Sequence, residues 1–159
     1  MAIPPSIQRF VETRGVQFTP IHHQAAFTAQ QAAAATHVRG RDWAKTVVCL
    51  ADGKPVIALL PAHLRVDLEA LRVTLGAREV RLASEREFAG LYPDCETGAM
   101  APFGPLYGQP VYVEESLTRD PEITFHAGTH VDAMRMRFDD FADLVHPIPA
   151  RIARPLGEA

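Results

Sequence analysis

No apolar run in the sequence approaches the roughly 20 residues of a membrane-spanning helix. The opening stretch MAIPPSIQRFVETRG has no apolar core of the kind that a secretory signal carries. The expectation is a cytoplasmic protein with no membrane partner. Cysteine is scarce: the 2 present, Cys49 and Cys95, are too few for a disulfide framework, and in a reducing compartment each is expected to be a free thiol. Positive charge is not in excess either, because 16 Lys and Arg against 19 Asp and Glu leave a net charge of −3. That balance argues against sequence-independent binding along a nucleic-acid backbone, DNA included, which needs many cations displacing counterions. A small local contact stays open at VRGRDWAK, where Arg39, Arg41 and Lys45 are opposed by Asp42 alone. Serine-hydrolase motifs and glycine-rich phosphate loops are both missing.

What is present fits an ordinary globular chain. Of 159 residues, 47% are apolar and 22% charged, enough for a single core. Residues 1–150 read as one α+β domain, with a mixed, mostly antiparallel sheet and flanking helices, and residues 151–159 as a loose tail. The first helix follows Pro4 and Pro5, with Ile7, Phe10 and Val11 on one side. Thr28 caps an alanine-rich helix in AQQAAAATHV. KTVVCLADGKPVIALLP reads as two buried strands joined across Asp52-Gly53. Asp67 caps LEALRVTLG, which Gly76 ends. AREVRLA alternates as a strand, and Ser84 with Glu87 forms a capping box for EREFAGLY. PVYVEESL, EITFHAG and HVDAMRMRF are three further strands, and DFADLVH closes the chain as a helix before Pro147.

From Pro93 to Tyr107 there is no periodicity, and a loop this long inside a compact domain tends to be functional. Its edge carries Cys95, flanked by Asp94 and Glu96, whose charges raise a thiol pKa rather than lower it, so an inert thiol is expected. The 7 histidines invite a metal reading. His126 and His130 stand four apart, but Gly128 breaks the helix that would align them, and His22 and His23 point to opposite sides of a strand. No metal and no cofactor are therefore expected. Lys45, opening an otherwise apolar strand, is the side chain that a snorkelling role explains least well when its neighbours are considered.

Taken together, AKTVVCL, GAMAPFG and HAGTHVDAMRM resemble the YbaK-type family of aminoacyl-tRNA deacylases, related to the editing insertion of bacterial prolyl-tRNA synthetase. The resemblance runs from FTAQQAA through DDFADL. It implies trans-editing, the hydrolysis of the ester that joins a wrong amino acid to the terminal adenosine of a transfer RNA. A mischarged aminoacyl-tRNA is the implied partner, with proline transfer RNA favoured as the carrier and an aminoacyl-tRNA synthetase as a second partner. Alanine, serine, threonine and cysteine esters remain open. By the same resemblance Lys45 grips phosphate or ribose, while Gly98 and Pro102 end a G-x-x-x-P loop. Ala99, Met100 and Ala101 within that loop contribute backbone groups around the ester. His130 follows the glycine turn of Gly128 and Thr129 and shapes the amino-acid pocket or holds water; Phe27 lines that pocket. A binding module that keeps the fold without the hydrolysis is the alternative.

Overall fold

The computed structural model describes residues 2–157, which form one α+β unit. Helix α1 (Pro5–Glu12) follows the prolines, which suit a first turn because their missing N–H groups would have had no partner there. Strand β1 is Thr19–His22, and helix α2 (Ala29–Ala35) starts where the Thr28 hydroxyl accepts the Gln31 N–H. The hairpin forms as the sequence requires: β2 (Ala44–Ala51) and β3 (Lys54–Pro61) pair antiparallel from Ala44↔Pro61 to Ala51↔Lys54. Asp52 and Gly53 both take positive φ, the pattern of a type I′ turn. Strand β4 (Leu64–Val66) leads into α3 (Leu68–Leu75), where the Asp67 carboxylate accepts the Ala70 N–H. Then come β5 (Val80–Leu82), α4 (Glu85–Phe88) with its Ser84–Glu87 capping box, and, beyond the long loop, β6 (Val111–Glu114). Strands β7 (Glu122–Thr129) and β8 (Asp132–Arg137), helix α5 (Phe138–Val145), and the short strands β9 (Ile148–Ala150) and β10 (Ala153–Pro155) complete the chain.

Among the described residues the strands form a five-stranded sheet in the order β5-β2-β3-β6-β9, a three-stranded sheet β1-β8-β7, and a two-stranded pair β10-β4. The larger sheet is mixed, because β6 runs parallel to both β3 and β9, and the remaining ladders are antiparallel. The two larger sheets face each other. Ala44 and Val48, Ile57 and Leu59, and Val111 and Val113 point inward from one; Ile123, Phe125, Met134 and Met136 point inward from the other. Helices α1 and α5 close this core with Ile7, Phe10, Val11, Phe138 and Phe141. On its outer side the hairpin buries Cys49, Val56, Ala58 and Leu60 against Leu71 of α3, the alternation expected of a strand covered on both faces. A parallel bridge between Trp43 and Thr124 joins the two sheets at the start of β2.

Several elements are shorter than their sequence patterns. The capped segment after Ser84 is one α-turn continued by a 3₁₀ turn over Ala89–Leu91, and PVYVEESL yields its strand only to Glu114 before another such turn, Glu115–Arg119. The loose tail expected from residue 151 is corrected for residues 151–155; residues 158 and 159 lie outside the described residues. Ile152 is fully buried, and β10 pairs with β4 from Ala153↔Val66 to Pro155↔Leu64. The cause is Glu114, a buried carboxylate that accepts the N–H groups of Ile152 (2.9 Å) and Ala153 (3.1 Å) through Oε1 and of Ser116 (3.1 Å) through Oε2. Charged acceptors of this kind form the stronger class of hydrogen bond.

Glu114→Ala is expected to leave three backbone donors without their acceptor and to lower the free energy of unfolding by about 3 kcal/mol in urea titration. The Glu114→Gln chain, which keeps one carbonyl acceptor, should fall between the two; equal stability of all three would sink the assignment.

Candidate active site

The long loop and the turn after β7 are one structure. The Glu96 N–H donates to Gly128 O (2.8 Å), and the Gly128 N–H donates to Ala99 O (2.9 Å), so the tight turn of residues 96–99 is fastened at both ends to Gly128. The Glu96 carboxylate then accepts the His130 N–H at 2.7 Å. From the other side, Ala26 N–H donates to His130 O (3.0 Å) and His23 N–H to Val131 O (2.8 Å), tying the segment before α2 to the same turn. A β-bulge between His126 and Thr129 interrupts the β7–β8 ladder here. Bulges re-aim side chains, and this one sends His130 back over the loop.

The His130 ring is held by two carbonyl oxygens, Ala26 O at 3.2 Å from Nδ1 and Thr97 O at 3.0 Å from Nε2, so an acceptor awaits whichever nitrogen carries the proton. The Phe27 ring lies 4.7 Å from it, centroid to centroid, and is 67% exposed. Gly98 sits directly below, where an added Cβ would come 3.5 Å from His130 Cε1; its φ of +89° is one that glycine adopts without strain. Phe27, Gly98 and His130, three residues of the resemblance, are thus in one place. Gly98 and Thr97 face solvent, while Ala99, Met100, Ala101 and Pro102 are buried.

Those buried positions narrow the backbone role expected of the G-x-x-x-P loop. The Ala99 N–H donates to Glu96 O at 3.0 Å, and the Ala101 N–H donates to the Cys95 thiol, so both are engaged inside the loop. The Gly98 N–H donates to the thioether sulfur of Met100 at 3.2 Å, a weak acceptor that an oxygen ligand displaces readily. The loop thereby holds the amide of Gly98, an exposed residue, only loosely. Two further residues of the resemblance lie inside the turn. Thr129 is buried, its hydroxyl donates to Asp132 Oδ2 at 2.6 Å, and it accepts the Val131 N–H. Gly128 faces the interior, where an added Cβ would meet the Pro4 ring at 2.7 Å and Ile7 Cδ1 at 3.1 Å at a φ of +99°. Both residues build the turn.

Lys45 lies near the start of β2, beside the strand that leads to the turn. The parallel bridge Trp43↔Thr124 puts Lys45 and His126 each two residues farther along adjoining strands, on the same side. Lys45 is half-buried and burial lowers its pKa from the usual lysine value, yet it makes no ion pair or hydrogen bond with any described residue. An ammonium in that setting carries a charge that the chain leaves unneutralised. His126 is buried against Trp43, with ring centroids 5.1 Å apart. Burial first, then the neighbouring His130 and His23 rings, holds its pKa down to about 4, so the ring is neutral at neutral pH.

The thiols are unsuited to attack. Burial pushes both Cys49 and Cys95 up to about 11; at Cys95 the Asp94 charge adds to this and a hydrogen bond with Tyr107 opposes it. Tyr107 OH and Ser6 Oγ both donate to the Asp94 carboxylate, which ties α1 to the loop. Among the described residues no three His, Cys, Asp or Glu side chains form a metal-binding group, and no helix is long and apolar enough to cross a membrane. Three residues escaped the sequence reading. Glu96 is visible there only as a charge beside Cys95, His23 only as half of a histidine pair, and Trp43 not at all, because each acts through contacts distant in sequence.

A family model described as the aminoacyl-tRNA editing domain matches residues 23–144. None of the curated proteins matches the chain. Among solved structures, a candidate trans-editing enzyme for prolyl tRNA synthetase is 23% identical, with a TM-score of 0.79 over 96% of this chain and 99% of that one. A hypothetical protein is 17% identical with a TM-score of 0.84 over 94% and 99% of the two chains. A scaffold protein used to present computationally grafted epitopes is 24% identical with a TM-score of 0.82 over 94% and 98%. At these identities the structures share the fold.

Gly128→Ala should destabilise the protein by roughly 2–5 kcal/mol, combining a strained positive φ with overpacking against Pro4; an unchanged melting temperature would contradict this packing. Native protein at pH 7.5 should react slowly with a thiol-specific disulfide reagent at both cysteines, and rapidly once unfolded.

Proposed function

Because the chain belongs to the aminoacyl-tRNA editing domain family, as its YbaK-type motifs suggest, we propose that it acts in trans as a deacylase. It hydrolyses the ester that joins a wrong, small amino acid to the terminal adenosine of a transfer RNA, with proline transfer RNA as the carrier. The setting is the cytoplasm, and an aminoacyl-tRNA synthetase that mischarges the carrier is the second partner. The observation that carries this reading is the Gly98 amide, exposed beside His130 and held by a thioether alone.

Ester hydrolysis needs no nucleophilic side chain when the charge of the transition state has a fixed donor. Water adds to the ester carbonyl carbon, and negative charge develops on the carbonyl oxygen. The Gly98 N–H exchanges the Met100 sulfur for that oxygen, and because the turn is already clasped by Glu96 and Gly128 little reorganisation is needed. The bond to the ribose oxygen then breaks, and the proton from water passes to that oxygen by way of the adjacent ribose hydroxyl. The products are a free amino acid and an uncharged transfer RNA.

The other residues bind and orient. The unneutralised Lys45 ammonium fits a phosphate or ribose oxygen of the acceptor end, a task for a compact charge. Phe27 presents an exposed aromatic face on which the terminal base can stack, and base stacking of this type contributes about 1–3 kcal/mol. His130, fixed at both nitrogens, forms the wall between that base and the amino acid.

Gly98→Ala keeps the backbone N–H but strains its φ of +89°, and the displaced amide is expected to lower the rate of release from mischarged transfer RNA by up to about 10²–10³, the loss typical of an oxyanion donor put out of reach. Lys45→Ala should reduce kcat/KM by about 10-fold or more with little change in melting temperature. Binding across a panel of mischarged transfer RNAs without release from any of them would favour a non-catalytic binding module. The charge of Lys45 is present below its lowered pKa and lost above it. After subtraction of spontaneous alkaline hydrolysis, activity should therefore fall as pH rises, at a lower pH than an exposed lysine would give. In Lys45→Arg that fall should shift to higher pH, because guanidinium keeps its proton.

A further inference from the structure

Three buried polar atoms have no hydrogen-bond partner among the described residues and stand together: His23 Nε2, Trp43 Nε1 and His126 Nδ1. Their rings form a triangle, with centroids 6.5 Å apart for His23 and Trp43, 6.4 Å for His23 and His126, and 5.1 Å for Trp43 and His126. The three residues are 8%, 0% and 7% exposed. Buried polar atoms are nearly always paired, so three unpaired ones in a single cluster mark a place that receives a polar group. The cluster adjoins the site just described. The His126 ring is 6.0 Å from that of His130, which in turn covers Gly98.

The chemistry of the guest follows from the donors and acceptors. His23 Nδ1 lies 2.7 Å from Gln24 O, and a carbonyl can only accept, so Nδ1 carries a hydrogen and, in the tautomer with a single ring hydrogen, Nε2 is left as an acceptor. Trp43 Nε1–H can only donate. His126 is neutral and serves in either role according to its tautomer. An ammonium would face the Trp43 N–H, and a carboxylate would face the His23 lone pair. A hydroxyl matches both, donating to one and accepting from the other. A methyl group matches neither.

We propose that His23, Trp43 and His126 form the end of the amino-acid pocket and receive the side-chain hydroxyl of the substrate, so that the ester hydrolysed is that of a small hydroxyl-bearing amino acid, serine first. This rests on the proposed deacylase reading and chooses among the esters that it leaves open. The three residues act on selectivity, at a distance from the bond that breaks.

The test separates binding from hydrolysis. Non-hydrolysable 3′-amide analogues of seryl- and alanyl-adenosine are titrated into the full chain and their affinities compared by calorimetry. The native protein should favour the seryl analogue by about 10-fold or more, since a site built for a hydroxyl rejects the analogue that lacks it. In Trp43→Phe and His126→Leu, each checked for a native melting transition, that ratio should fall toward one. A ratio near one in the native protein means that the cluster holds only a water molecule, and overturns the proposal. So does a ratio that both variants preserve, and so does an absence of binding by either analogue. Should the seryl preference hold while no mischarged transfer RNA is hydrolysed, the pocket stands and the deacylase reading fails.

Discussion

The site depends on the pairing of residues 96–99 with the turn that ends β7. Two backbone hydrogen bonds and one carboxylate hold it, and without them neither Gly98 nor His130 has a fixed position. Gly128 makes this possible from the other side. Its missing side chain lets α1 press Pro4 and Ile7 against the turn, so the bulge is supported by the main core rather than suspended at a rim. A loop that is plain by composition is in this way held by backbone hydrogen bonds, and the proposed role of its amide requires that fixed position.

The sequence is most legible where short-range chemistry decides. The Asp52-Gly53 hairpin, the Asp67 cap and the Ser84–Glu87 capping box depend on neighbours a few residues away, and each forms as its pattern requires. Strands β4, β9 and β10 have three residues each, too few for alternation to show, and β10 exists because Glu114 fixes its backbone from far along the chain. The same division runs through the site. Motifs point to Lys45, Gly98 and His130, but the consignment of Thr129 and Gly128 to the interior depends on Asp132 and Pro4, partners that no local pattern announces. The adjacent pair His22-His23 does point two ways, as alternation along an extended chain requires. His22 is exposed beside Asp132, and His23 is buried beside Trp43.

Burial of polar groups is handled in two contrasting ways. Glu114, Asp94 and Asp132 are surrounded by donors, as buried or half-buried carboxylates in a stable fold must be. Among the described residues, Lys45, His23 Nε2, Trp43 Nε1 and His126 Nδ1 are left without partners. These three carboxylates are satisfied within the chain, whereas the unpartnered ring nitrogens gather about the Trp43–Thr124 bridge, two residues before Lys45 in sequence. Such local inconsistency in an otherwise consistent fold is where function is expected to lie.

Strand β1 also bears on the order of events during folding. It pairs with β8, and His22 meets Asp132 across a sequence separation of 110 residues. Because the segment following β1 supplies the backbone that grips His130, this flank stays open until the eighth strand has emerged and docked. Contacts so distant are slow to close. A nascent chain therefore carries its first strand unpaired through most of synthesis, and competence for ligand arrives in the last stage of assembly rather than growing with length.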